Sequence, residues 1–159
     1  MKVAIIFGSK SDTEVMKKAS NVLKEFDIEH KGYVLSAHRV PEKLSETIKE
    51  LENKGVECII AGAGLAAHLP GVIASQTVIP VIGVPIKAGL EGMDALLSIV
   101  QMPKQIPVAT VGINNSANAA MLAAEILALK YPEIKNKLIK YRETMKENFI
   151  KENEQGVEF

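Results

Sequence analysis

Val3-Ala4-Ile5-Ile6-Phe7-Gly8-Ser9-Lys10-Ser11-Asp12 reads as a strand that turns directly into a helix. The apolar run Val3 to Phe7 is rich in β-branched residues and has no polar face, so it is expected to be buried on both sides, as in a parallel sheet. Gly8 closes it. From about Ser11 to Phe26, Val15, Met16, Ala19, Val22, Leu23 and Phe26 recur at helical spacing with lysines between them. Ser11-Asp12-Thr13-Glu14 has the pattern of a capping box, Ser11 as cap and Glu14 reaching back.

The same alternation continues along the chain. His30 to Leu35 reads as a second strand. Pro41 suits the first position of a helix whose Leu44, Ile48 and Leu51 share a face and which Gly55 stops. Cys58 to Ala61 is a third strand, Val81 to Val84 a fourth with Pro80 and Pro85 at its ends, and Val108 to Val111 a fifth. Met93 to Val100 reads as a short helix, with Asp94 a candidate cap. Strands and helices alternating at this spacing predict an α/β chain: a three-layer αβα, doubly wound parallel sheet of flavodoxin-like size, joined by right-handed crossovers. Such sheets bind ligands beyond the carboxyl ends of their strands. Attention therefore falls on the residues after Phe7, Leu35, Ala61 and Val84.

A length of 159 residues fits one domain, with a core over about 1–130 and an extra C-terminal helix over about 132–153. Lys and Arg number 19, as do Asp and Glu, so charge gives no hold on nucleic acid or an anionic membrane surface. Aromatics at 4% offer little for stacking bases or sandwiching a flavin ring. No apolar run approaches the ~20 residues of a membrane span. Met1-Lys2 leads straight into the first strand, and one Cys suits a reducing compartment, so a cytoplasmic protein is expected. Cys58 reads as an inert core thiol, and no spacing of His, Cys, Asp and Glu suggests a metal. Ala117 to Leu129 is apolar nearly all round and should be covered on more than one side, which points to a homo-oligomer. Ile134, Leu138, Tyr141, Met145 and Phe149 stripe the last helix, and residues 152–159 are expected to fray.

Three loops can carry chemistry. Gly8 to Asp12 offers free backbone N–H groups at a helix start, two hydroxyls and a lysine, a setting that suits a phosphate; capping alone also accounts for Ser11. Ser36-Ala37-His38-Arg39-Val40-Pro41 places an imidazole able to exchange a proton near neutral pH beside a guanidinium able to grip an anion. A loop histidine and a solvated arginine are the plainer reading of that pair. Gly62-Ala63-Gly64-Leu65-Ala66-Ala67 fits G-x-G-x-x-A, yet Leu69-Pro70-Gly71 is expected to break the helix and no acidic residue follows before Glu91. The small residues instead let backbone approach a ligand or another chain. His68 is either a second site group or a hydrogen-bonded structural histidine.

Gly8-Ser9-Lys10-Ser11-Asp12, Ser36-Ala37-His38-Arg39, Ala66-Ala67-His68-Leu69-Pro70-Gly71 and Ser98-Ile99-Val100-Gln101-Met102-Pro103 together resemble the PurE family of purine biosynthesis, over Val3 to about Leu129. The segment Ala66 to Gly71 is similar to that of the family's mutase branch, rather than the branch that carboxylates aminoimidazole ribonucleotide with CO2 directly. Leu65 stands where the family commonly has Gly, Ala95 where it has Ser, and Lys104-Gln105 where it has a basic residue and Gly. The resemblance implies transfer of a carboxylate from the exocyclic nitrogen of an aminoimidazole ribonucleotide to ring carbon C4. It implies no cofactor, no metal, and an octamer with sites at subunit junctions. It further implies His38 as acid and base, and a 5′-phosphate held by Ser9, Ser11, Ser36 and Arg39. Asp12 would then take the ribose hydroxyls, and the loop carrying Gly64, His68 and Leu69 would cover the base. A non-enzymatic nucleotide or flavin-binding module on the same sheet is the alternative from another class.

Overall fold

A computed structural model describes residues 2–154 and 156. Strands β1 (Val3–Phe7), β2 (His30–Val34), β3 (Cys58–Gly64), β4 (Val81–Ile86) and β5 (Ala109–Thr110) form one sheet in the order β2-β1-β3-β4-β5, and every pair is parallel. The helices are α1 (Thr13–Glu25), α2 (Pro41–Asn53), α3 (Leu69–Ala74), α4 (Met93–Val100), α5 (Ser116–Ala128) and α6 (Pro132–Glu152). Alternate residues of β1 divide the core. Val3, Ile5 and Phe7 pack with Met16, Leu23, Ala120 and Ala124 of α1 and α5, while Ala4 and Ile6 pack with Leu44, Ile48, Ile73 and Ile99 of α2, α3 and α4. That is the doubly wound, three-layer arrangement of a flavodoxin-like fold.

Several local expectations need correction. The capping box does not form: Ser9, in extended conformation, caps a 3₁₀ turn over Lys10–Asp12, and its Oγ accepts from the Ser11 N–H. Asp12 then enters α1 with no side-chain cap. β3 runs through Gly64, three residues beyond Ala61, so the glycine-rich stretch is strand rather than loop. Leu69-Pro70-Gly71 opens α3 instead of breaking a helix, because proline is tolerated in a first turn where its missing N–H has no partner to lose. Pro85 lies inside β4. Its carbonyl accepts from Asn114 on the side where β5 has already ended, so no ladder donor is needed there. Asp94 caps nothing: Gly92, at φ 86, holds the position before α4, and Asp94 Oδ1 is buried without a partner. The fifth strand is only two residues long.

The ends of the chain follow the same logic. α5 is enclosed by α1, the sheet and α6, and buries Ala119, Ala120, Ala123, Ala124 and Leu127. Only the start of the α6 stripe reaches this core: Ile134 and Leu138 are buried, Tyr141 leans its ring on Phe26, and Met145 and Phe149 are exposed. Glu57, just before β3, ties the sheet to the α5–α6 corner through Lys130 (2.6 Å) and the Tyr131 hydroxyl (3.0 Å). Burial works to raise its carboxyl, and those partners outweigh it, so the group sits below its usual range. Cys58 is wholly buried and its thiol is pushed up to about 12, consistent with an inert thiol. The expected fraying falls in part on residues 155 and 157–159, which lie outside the described residues.

Two strand glycines permit helices to approach, by different margins. A Cβ on Gly62 would meet the flexible end of Met16 at 2.4 Å, whereas one on Gly83 would meet Cγ2 of Ile99 at 2.4 Å and Val108 at 3.0 Å. Met16 can swing its thioether aside; the γ-methyl of Ile99 is fixed by a stiff χ1. Gly83→Ala is therefore expected to lose about 1–3 kcal/mol of stability and Gly62→Ala clearly less, read from urea midpoints. Equal losses would contradict this packing.

Candidate active site

The carboxyl ends of β1, β2 and β3 converge on one cavity of about 450 Å³. It is lined by Gly8, Ser9, Ser11 and Asp12 after β1, by Ser36, Ala37, His38 and Arg39 after β2, and by Ala63 to Ala66, His68 and Leu69 at the end of β3 and beyond. Every residue expected at the site from sequence lines this cavity. Ala88, after β4, completes the wall and was not anticipated, since an alanine carries no chemical signal.

Winding explains the convergence. The chain leaves β1 for α1 on one face, and leaves β2 and β3 for α2 and α3 on the other. The loops therefore part where β1 and β3 lie side by side, and a crevice opens at this switch point. Gly64 lets the end of β3 lie close to β4, because a Cβ there would stand 3.1 Å from the Ile86 carbonyl oxygen and 3.3 Å from Ala88.

On the first loop, the Ser11 hydroxyl lies 2.9 Å from Ser9 Oγ and 3.1 Å from Asp12 Oδ1, so three polar side chains form one chain of contacts. The second loop docks onto the first: Arg39 Nη2 donates to the Gly8 carbonyl at 2.7 Å, and its backbone N–H donates to Ser36 Oγ at 3.3 Å. One face of the guanidinium fork is thus fixed to the strand end, while the side chain stays on the cavity wall. Serines, guanidinium and the start of the 3₁₀ turn give this end the character of an oxyanion pocket.

The other end holds the imidazoles. His38 Nε2 lies 2.9 Å from His68 Nδ1, the rings meeting edge to face with centroids 5.0 Å apart. One nitrogen must donate and the other accept, so both rings cannot be protonated while the contact is held. This settles the open reading of His68: it belongs to the cavity and touches His38. Its neighbour Leu69 is 3% exposed and contributes wall and core rather than a polar group. His30 is different. It sits at the amino end of β2, where Nδ1 meets the Ile28 carbonyl (2.8 Å) and Nε2 the Ser20 hydroxyl (2.7 Å), a structural clamp at the opposite edge of the sheet. Among the described residues no group of three or more His, Cys, Asp and Glu is placed to hold a metal.

Leu65 and Gln105, where glycine was expected, have φ of 55 and 77. The backbone keeps a glycine-like conformation and the substituted side chains bear its cost.

Comparison with known proteins agrees with this geometry. A family profile described as AIR carboxylase matches residues 2–148. The N5-carboxyaminoimidazole ribonucleotide mutase of Pyrococcus abyssi is 63% identical over 146 residues, covering 91% of this chain and 84% of the relative. The protein of the same name from Thermotoga maritima is 55% identical over 150 residues, covering 94% and 88%. The crystal structure of Treponema denticola PurE superposes with a TM-score of 0.90 at 30% identity, covering 98% of each chain. With the profile spanning nearly the whole sequence and relatives this similar over most of their length, the chain belongs to the AIR carboxylase (PurE) family.

Proposed function

We propose that this protein is an N5-carboxyaminoimidazole ribonucleotide mutase of purine biosynthesis, an isomerase that moves a carboxylate from the exocyclic nitrogen to ring carbon C4. The observation that carries the reading is the cavity itself, which joins an anion-suited end at Ser9, Ser11 and Arg39 to the His38–His68 pair. The high identity to relatives bearing that mutase name supports it over direct carboxylation of aminoimidazole ribonucleotide. A flavin-binding module is disfavoured because no Phe, Tyr or Trp lines the cavity.

In this reading the 5′-phosphate lies against Ser9, Ser11, Ser36 and Arg39, and Asp12 accepts from the ribose hydroxyls. The base reaches toward His38 under the segment from Gly64 to Leu69. His38 gives a proton to the carbamate nitrogen, the N–C bond breaks, and CO2 departs with the amine left neutral. The freed amine feeds electron density to C4, which attacks the retained CO2. His38 then takes the C4 proton, so the proton lent in the first half returns in the second and the net change is isomerisation. His68 engages one nitrogen of His38 and leaves the other for substrate.

The proposal extends to assembly and place: a one-domain, cytoplasmic subunit of a homo-octamer, without cofactor. Exposed Leu90, Met93, Leu97 and Val100 along one side of α4 and its approach support self-association. Light scattering is expected to give a mass of eight subunits, and a monomer would contradict it.

Supplied only with the N-carboxylated ribonucleotide and a chelator, the protein is expected to form the C4-carboxylated isomer. His38→Asn should keep the fold and substrate binding while kcat falls roughly a thousandfold or more. Near-normal turnover in that variant would remove His38 from the chemistry.

A further inference from the structure

We infer that Leu65 is the cover of this cavity, the side chain that keeps released CO2 away from water between the two halves of the reaction. The inference rests on the mutase reading above and adds a residue whose type does nothing in acid–base or anion chemistry.

Three observations converge on it. Leu65 holds φ 55, a backbone conformation that suits glycine and crowds the Cβ of a leucine. Its side chain lines the cavity and is nevertheless 57% exposed, so one side faces the interior and the other faces solvent. It also reaches across to the segment after β4: a Cβ placed on Gly89 would stand 3.1 Å from Leu65 Cδ2, next to Ala88 of the cavity wall. Around it the wall is made of Ala63, Gly64, Ala66 and Ala88, none of which projects more than a methyl group. Leu65 is therefore the group with the length to bridge the end of β3 and the segment following β4.

The chemistry needs such a group. CO2 has no charge or net dipole for Arg39 or the serines to grip, so it is retained by exclusion rather than by attraction. If water enters, CO2 and water give bicarbonate and a proton, and the decarboxylated aminoimidazole ribonucleotide is left as the second product. If water is excluded, C4 recaptures the CO2 and loses its proton to His38. An apolar side chain laid across the mouth favours the second course.

The test is a partition measurement at early turnover with substrate labelled with ¹³C in its carboxylate. Wild-type protein is expected to place nearly all the label in the C4-carboxylated product. Leu65→Gly, which fits the local φ without strain and should fold, is expected to raise the share appearing as bicarbonate roughly tenfold, the change produced by one decade in the ratio of escape to recapture. Leu65→Met restores apolar length and is expected to bring the share back toward wild type. An unchanged partition in Leu65→Gly, or a leak in Leu65→Met as large as in Leu65→Gly, overturns the inference and leaves the mutase reading intact. Wild-type protein that makes no C4-carboxylated product overturns the mutase reading itself.

Discussion

Parallel pairing of β1 with both β2 and β3 forces the chain to reverse its winding direction, because β2 is laid down on one side of β1 and β3 on the other. Helices that follow neighbouring strands then leave toward opposite faces of the sheet, and nothing in the backbone can fill the gap between their first turns. The cavity is that gap. Its depth depends on how closely β3 approaches β4, and Gly64 allows an approach that a Cβ would obstruct. Arg39 limits its width by binding the Gly8 carbonyl, which fastens the loop after β2 to the end of β1. Site geometry is thus a consequence of sheet order and two close contacts.

The cavity separates two kinds of chemistry. At one end, donors are plentiful and fixed by local bonds: Ser9 caps the 3₁₀ turn, and Ser11 and Asp12 continue from it. Such a surface suits an anion and gives it orientation rather than reaction. At the other end two rings share one hydrogen-bonded contact at the cavity rim. A proton carrier that must both give and take benefits from a partner that is itself amphiprotic, since His68 can accept from His38 in one state and donate in another. His30, locked between a hydroxyl and a backbone carbonyl, has the same side chain and no such freedom.

Much of this was legible in the sequence. The unbroken apolar run from Val3 to Phe7 requires cover on both faces, and the core divides at alternate residues of that strand as a parallel sheet demands. Pro41 and Gly55 bound α2 because their backbone preferences are local. The misreadings came where tertiary packing overrides local pattern. Gly62 and Gly64 look like loop but extend β3, because α1 and β4 press against them and select residues without a Cβ. Ser11 and Glu14 match a capping pattern, yet the preceding 3₁₀ turn moves the cap to Ser9. The His38–His68 contact spans thirty residues and depends on where two loops meet, which spacing along the chain does not encode. Ala88 escaped notice for a simpler reason: a wall residue is chosen for being small.

The account turns on one imidazole meeting the reacting atoms at the end of a parallel sheet. A crystal structure of the protein with its ribonucleotide bound tests this most directly. It is expected to place a ring nitrogen of His38 about 3 Å from the exocyclic nitrogen or from C4, with the phosphate beside Ser9 and Arg39. A bound ribonucleotide with the His38 ring turned to solvent in every subunit would contradict the account.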